Sequence, residues 1–143
     1  MRSYLIVANQ TLASPALAAE VARRIAAGPA TFHVVVPLTP IVHRLTWDED
    51  ESRRAAEERL DALLDHVRSA GAVASGEIGD PDPVAAVRDA LRSVEVDEVI
   101  LSTLPAGISR WLGQDVPSRL RGSVTQPVVV VTAEREESAA PRG

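Results

Sequence analysis

The residues best suited to recognising a ligand fall in the irregular stretches of this chain. Residues 9–13, 37–47 and 102–114 between them hold both tryptophans, Trp47 and Trp111, with His43, Arg44 and Arg110. Arg119 and Arg121 follow closely in sequence. An indole face stacks on a flat apolar group, and a guanidinium pairs with an anion through parallel N–H donors. A flat apolar group joined to an anion describes a nucleotide. The same content has a plainer reading, because a loop tryptophan often lids a hydrophobic core and arginine is abundant throughout.

Other chemistries are narrowed by composition. All fifteen basic residues are arginine, so Schiff-base catalysis and the lysine of a phosphate-binding loop are excluded. With no cysteine there is no disulfide, thiolate nucleophile or cysteine metal site. No Gly-x-Ser-x-Gly surrounds a serine, since Gly107-Ile108-Ser109 lacks the following glycine. His33, His43 and His66 have no metal-ligand spacing, and His33 and His66 read as structural or solvated. Asp80 and Asp82 flank a proline and read as caps of a turn and a helix start. The run 48–51 reads as an acidic first helical turn. A dinucleotide fingerprint after the first strand is absent. The formal net charge of −5 argues against nucleic-acid binding, which needs a basic face. No run approaches the roughly 20 apolar residues that span a membrane, and the N-terminus lacks a signal-peptide layout. No membrane association, a cytoplasmic location and no enzymatic activity are the expectations.

The loops must be positioned by regular elements, and the hydrophobic pattern supplies them. Residues 4–8, 31–36, 96–102 and 127–132 are short apolar runs of the kind that form strands buried on both faces. Residues 72–78 form a weaker strand, interrupted by Ser75 and Gly76, and belong at a sheet edge. Between them, helical spacing of apolar residues covers 16–27, with Ser14-Pro15 at its start and Gly28-Pro29 at its end. A helix with Leu60, Leu63, Leu64 and Val67 inward follows a loop over 37–46, with Thr46 as its cap. A third helix covers 84–94 after the Gly79-Asp80-Pro81 turn. A short fourth, capped by Asp115, ends at Gly122.

Strands alternating with helices build right-handed crossovers and a parallel sheet. The expected fold is a single α/β domain over 1–133, a doubly wound five-stranded parallel sheet in the order 3-2-1-4-5, followed by a disordered tail over 134–143. In such a sheet a ligand binds beyond the carboxyl ends of the strands, where the strand order reverses. That point lies between strands one and four, flanked by residues 9–13 and 102–114.

The five-strand run, the Gly79-Asp80-Pro81 turn before a helix, and the Gly/Ser loop before a final Pro-Val-Val-Val-Val strand resemble the universal stress protein family over about residues 3–133. The resemblance implies a cytoplasmic stress-response or regulatory protein, a homodimer formed through the fifth strand and, in part of the family, ATP or another adenine nucleotide in the crevice. Nucleotide-binding members carry Gly-x-x-Gly, nine residues, then Gly-[Ser/Thr] after strand four. Here that stretch departs from the pattern: Gly113-Gln114 occupies its last position, and Asn9 stands where binders place an aspartate. The residues carried over as nucleotide contacts are Asn9, Val36, Ser102, Thr103, Gly107, Arg110, Gly113 and Gln114. Ser102 and Thr103 offer hydroxyl donors, Arg110 a phosphate partner, Gly107 and Gly113 close backbone approach, and Asn9 a base or sugar contact. The competing reading is a homodimeric interaction module without nucleotide, paired through residues 128–131. A third, adenylyl transfer, calls for paired histidines near the first strand, and none are present there.

Overall fold

The computed structural model describes residues 1–8, 14–39, 42–43, 46–104, 111 and 114–133. The chain runs β1 (Arg2–Ala8), α1 (Pro15–Ala26), β2 (Ala30–Pro37), β3 (Val42–His43), β4 (Thr46–Trp47), α2 (Glu49–Ser69), β5 (Val73–Gly79), α3 (Pro83–Leu91), β6 (Glu98–Thr103), α4 (Val116–Arg121) and β7 (Val128–Thr132). Five strands form one sheet, β5-β2-β1-β6-β7, and every pairing within it is parallel. Counted over these strands the order is 3-2-1-4-5, as the sequence pattern predicts. β5, weakened by Ser75 and Gly76, lies at one edge, and β7 at the other.

β1 is the centre of the molecule. Its Leu5, Ile6 and Val7 are fully buried because the strand has a helix layer on each face. Ile6 joins Val34, Val36 and Ile100 beneath Leu17 and Val21 of α1 and Leu63 and Val67 of α2. On the opposite face Leu5 and Val7 join Val35 and Leu101 beneath Val87 of α3 and Leu120 of α4. The continuous apolar runs read from the sequence are therefore two interleaved sets, one per face.

The helices begin where their caps place them. Leu17 donates its backbone N–H to Ser14 Oγ at 3.2 Å. Val84 donates to Asp82 Oδ1 at 3.1 Å, and Asp82 itself donates to Asp80 Oδ1 at 2.8 Å. The acidic pair after Gly79 is thus used for turn and cap. Two local expectations are corrected, and a third, Gly122 as the end of α4, holds. The cap of α2 is Asp48, which accepts from Glu51 N–H at 2.9 Å, whereas Thr46 lies in β4, paired antiparallel with β3; the 37–46 stretch is not wholly irregular. Asp115 precedes α4 with a left-handed backbone, φ 56°, and makes no capping bond. Gly122 ends α4 in a right-handed conformation, φ −78°, so no glycine-specific geometry is used there. The predicted tail, 134–143, lies outside the described residues.

Polar groups fasten the margins of the sheet. Arg24 of α1 donates to Glu98 of β6 at 2.9 Å and pairs with Glu20. Its hydrogen bond holds the Glu20 carboxyl below the usual carboxylate range, against the opposing cost of burial. That contribution is present above the unfolded pKa of Glu20 and fades as pH falls through the lowered folded one. At the free edges, Arg68 donates to the Ala74 carbonyl at 2.9 Å and Arg121 to the Val128 carbonyl at 3.2 Å. These are outward-facing acceptors: Leu38 N–H bonds Gly79 C=O and Ala133 N–H bonds Thr103 C=O, which turns the odd-numbered residues of β5 and β7 inward and the even-numbered ones outward.

Gly79 has a specific packing reason. A Cβ there would lie 2.8 Å from Ala86 Cβ and 3.0 Å from Val35 Cγ1, so glycine lets α3 approach the end of β5. Gly79→Ala is expected to cost about 1–3 kcal/mol from this overpacking, read as a lower urea midpoint at unchanged slope.

Candidate functional site

β1 and β6 lie side by side and leave the sheet in opposite directions toward their next neighbours, β2 and β7. Ala8 pairs with Ser102 at the carboxyl end of this seam, and Thr103 follows. This is the reversal point of a doubly wound sheet, where a ligand is reached by loops from two neighbouring strands. Asn9, Gly107, Arg110 and Gly113 lie outside the described residues. His43 belongs to β3, and Arg44 lies outside the described residues.

The described candidates divide sharply. Ser102 and Thr103 are fully buried at the end of β6, and Thr103 Oγ1 donates to the Leu104 carbonyl at 3.0 Å. Two hydroxyls placed where an apolar strand meets its loop can exchange short-range bonds for a ligand oxygen. Val36, 1% exposed, is part of the core beneath α1 and α2. Gln114 is exposed, two residues before α4 begins.

Three residues first weighed as ligand groups have other partners. Trp111 is buried in the core layer of Leu5, Val7 and Leu101, beside Val116 and Leu120; it lids that layer. Arg119 lies 3.4 Å from both carboxylate oxygens of Asp82, at the start of α3. Arg121 serves the Val128 carbonyl at the amino end of β7, the opposite end from the crevice. The sequence brings these arginines near the site by counting residues; Arg121 lies at the other end of the sheet, and Arg119 is paired with Asp82.

One constellation was not legible in the sequence. His33 of β2 is paired with Ser75 of β5 in the sheet register. Ser75 Oγ lies 2.8 Å from His33 Nδ1, and Glu77 Oε2 lies 2.6 Å from His33 Nε2. The expectation that His33 is structural or solvated did not anticipate these partners, because cross-strand register is not written in either strand alone. A shallow groove of about 320 Å³ between the end of α3 and the 123–126 turn, flanked by Arg88 and Arg92, lies at the amino end of the sheet. Among the described residues no group of three or more histidine, aspartate or glutamate side chains could hold a metal ion. Among the same residues no helix is long and apolar enough to cross a membrane.

The same architecture occurs in solved structures. A universal stress protein from Archaeoglobus fulgidus superposes with a TM-score of 0.61 at 16% identity, covering 92% of this chain and 93% of its own. The fold is that of the universal stress proteins. A universal stress protein family protein from Arabidopsis thaliana, solved with AMP bound, gives a TM-score of 0.63 at 11% identity over 99% of this chain and 97% of its own. A further universal stress protein, solved with cAMP, gives 0.60 at 17% identity over 93% and 98%. No protein-family model and no curated protein matches the sequence.

Because Trp111 is a core residue, Trp111→Ala is expected to cost about 3–5 kcal/mol of stability, measured by urea unfolding. A cost within about 0.5 kcal/mol, as for a surface position, would restore Trp111 to the ligand-contacting group.

Proposed function

We propose that this chain is a diverged universal stress protein that binds an adenine nucleotide, or a related anionic ligand, at the carboxyl end of the β1–β6 seam. The observation that carries the reading is the strand reversal at that seam with Ser102 and Thr103 at its rim. Proteins of this fold have been solved with AMP, dAMP and cAMP. In this reading Asn9 meets the base or sugar, Arg110 meets a phosphate, and Gly107, Gly113 and Gln114 form the close-approach loop. The crevice binds rather than turns over its ligand, and occupancy changes contacts with other proteins in a cytoplasmic stress-response or regulatory role.

The test is a thermal-shift panel of ATP, ADP, AMP and cAMP with and without magnesium. A ligand at a hundred times its Kd adds about 2.7 kcal/mol, a shift of several degrees for a domain of this size. Arg110→Ala and Gly113→Val are each expected to abolish the shift. Absence of a shift across the panel overturns the nucleotide reading.

A second reading rests on β7. Four consecutive valines, Val128 to Val131, form an edge strand. Arg121 covers the outward carbonyl of Val128, which leaves the outward groups of Val130 and Thr132 for a second copy of the chain. The two-fold pairing of such edges would make a homodimeric interaction module. Light scattering at micromolar concentration is expected to give a dimer mass. Val130→Pro removes one outward N–H without touching the ladder to β6 and is expected to give a monomer; a monomeric parent protein overturns this reading.

A further inference from the structure

Ser75, His33 and Glu77 stand on one face of the sheet, away from the β1–β6 seam. Residues two apart on a strand share a face, which places Ser75 beside Glu77, and the β2–β5 register sets His33 against Ser75. Farther along β5 the same face is covered by α3 at Gly79. Around Ser75 it is open: Ser75 is exposed and the Glu77 side chain is 41% exposed, while that of His33 is only 14% exposed. A histidine largely shielded from solvent thus bridges a serine hydroxyl and a carboxylate at 2.8 and 2.6 Å. That is the order nucleophile, base, orienting acid.

The backbone adds a fourth part. Leu38 donates its N–H to the Gly79 carbonyl, so Ser75, Glu77 and Gly79 turn their backbone groups toward β2 and Gly76 turns its N–H to the free edge. Arg68 on the outward Ala74 carbonyl agrees with this alternation. Gly76 N–H, one residue past the serine, points to the free edge and is the backbone donor next in sequence to Ser75.

We propose that Ser75 is an acyl-accepting nucleophile activated by His33, acting on small, unhindered carboxylic esters. The open face suits a small acyl group. With its ring hydrogen on Nε2, His33 donates to Glu77 and accepts the Ser75 hydroxyl proton at Nδ1. Ser75 Oγ bonds to the ester carbonyl carbon, and the carbonyl electron pair moves onto oxygen, facing Gly76 N–H. The carbon–oxygen bond to the alcohol then breaks, the alcohol leaves with the proton from Nδ1, and Ser75 carries the acyl group. Water, giving its proton to Nδ1, attacks the acyl carbon and releases the carboxylic acid, and Ser75 recovers its proton. Ser75 and His33 are the catalytic residues; Glu77 is a positioning residue.

The experiment uses the full chain with p-nitrophenyl acetate, following nitrophenolate release and locating the acetyl adduct by peptide mass spectrometry after acid quench. The expected result is an adduct on Ser75, with the rate lowered by roughly 100-fold, the low end for a positioned base, in both Ser75→Ala and His33→Ala. Glu77→Gln is expected to lower kcat and leave KM unchanged. Ser75 is exposed, so Ser75→Ala is expected to keep the parent melting temperature and folding does not confound the comparison. Ser75→Ala turning over at the parent rate, or acetylation confined to other residues, overturns the proposal. This outcome is independent of nucleotide binding, which the thermal-shift panel reads at the other end of the chain's crossovers.

Discussion

The central strands of an all-parallel sheet must be covered on both broad faces, and this constraint organises the molecule. Each strand must be reached by a crossover, each crossover here carries a helix, and right-handed crossovers distribute the helices to both faces. β1 therefore ends up with α1 and α2 on one side and α3 and α4 on the other, and its three central residues are fully buried. The order in which the crossovers leave β1 also creates the reversal between β1 and β6. The candidate ligand seam is thus a consequence of the same topology that fills the core.

Parallel sheets still have two edges, and here both are treated in the same way. Near the start of each edge strand a residue, Ala74 in β5 or Val128 in β7, turns its carbonyl outward, and an arginine from the preceding helix donates to it. A guanidinium laid on an edge acceptor removes one rung that another chain would use and adds charge there. The two edges then differ in what lies beyond that rung. β5 continues with Ser75, Gly76 and Glu77, polar or small, while β7 continues with valine. β7 adds the half-buried Val129 and Val130 beside its outward backbone groups, and self-association is proposed at that edge; β5 carries the exposed Val73 together with Ser75 and Glu77.

The long elements were legible because each carries a pattern that has one cheap solution. Apolar runs of strand length alternate with 3.6-residue periodicity, and Ser14-Pro15 and Asp82-Pro83 cap their helices as the residue types require. The weak strand 72–78 was placed at an edge from Ser75 and Gly76 alone, and it lies there. What failed was local. Thr46 and Asp48 are both competent caps, and pairing of Thr46 with His43 in β4 decides for Asp48. Arg119 and Arg121 are near the site only by proximity in sequence, which says nothing about the direction of a side chain on a short helix, whereas Trp111 follows the plainer of its two readings and lids the core. His33 was read alone, and its chemistry depends on a residue 42 positions away.

At 11–17% identity to structures of the same fold, few individual residues are shared, and the physics explains why few are needed. The sheet asks for apolar residues on alternating faces, which Val, Ile, Leu and Ala supply interchangeably so long as volume is kept. Demands on single residue types arise where backbones meet, as at Gly79 against Ala86, or where a turn needs a carboxylate, as at Asp80 and Asp82. None of these positions lies at the β1–β6 seam. Those demands lie away from Asn9 and Gln114, where the chain departs from the family pattern, so these departures leave the constraints of the fold intact. A chain can keep this fold while the residues beyond its strand ends change, and the proposed ligand chemistry resides there.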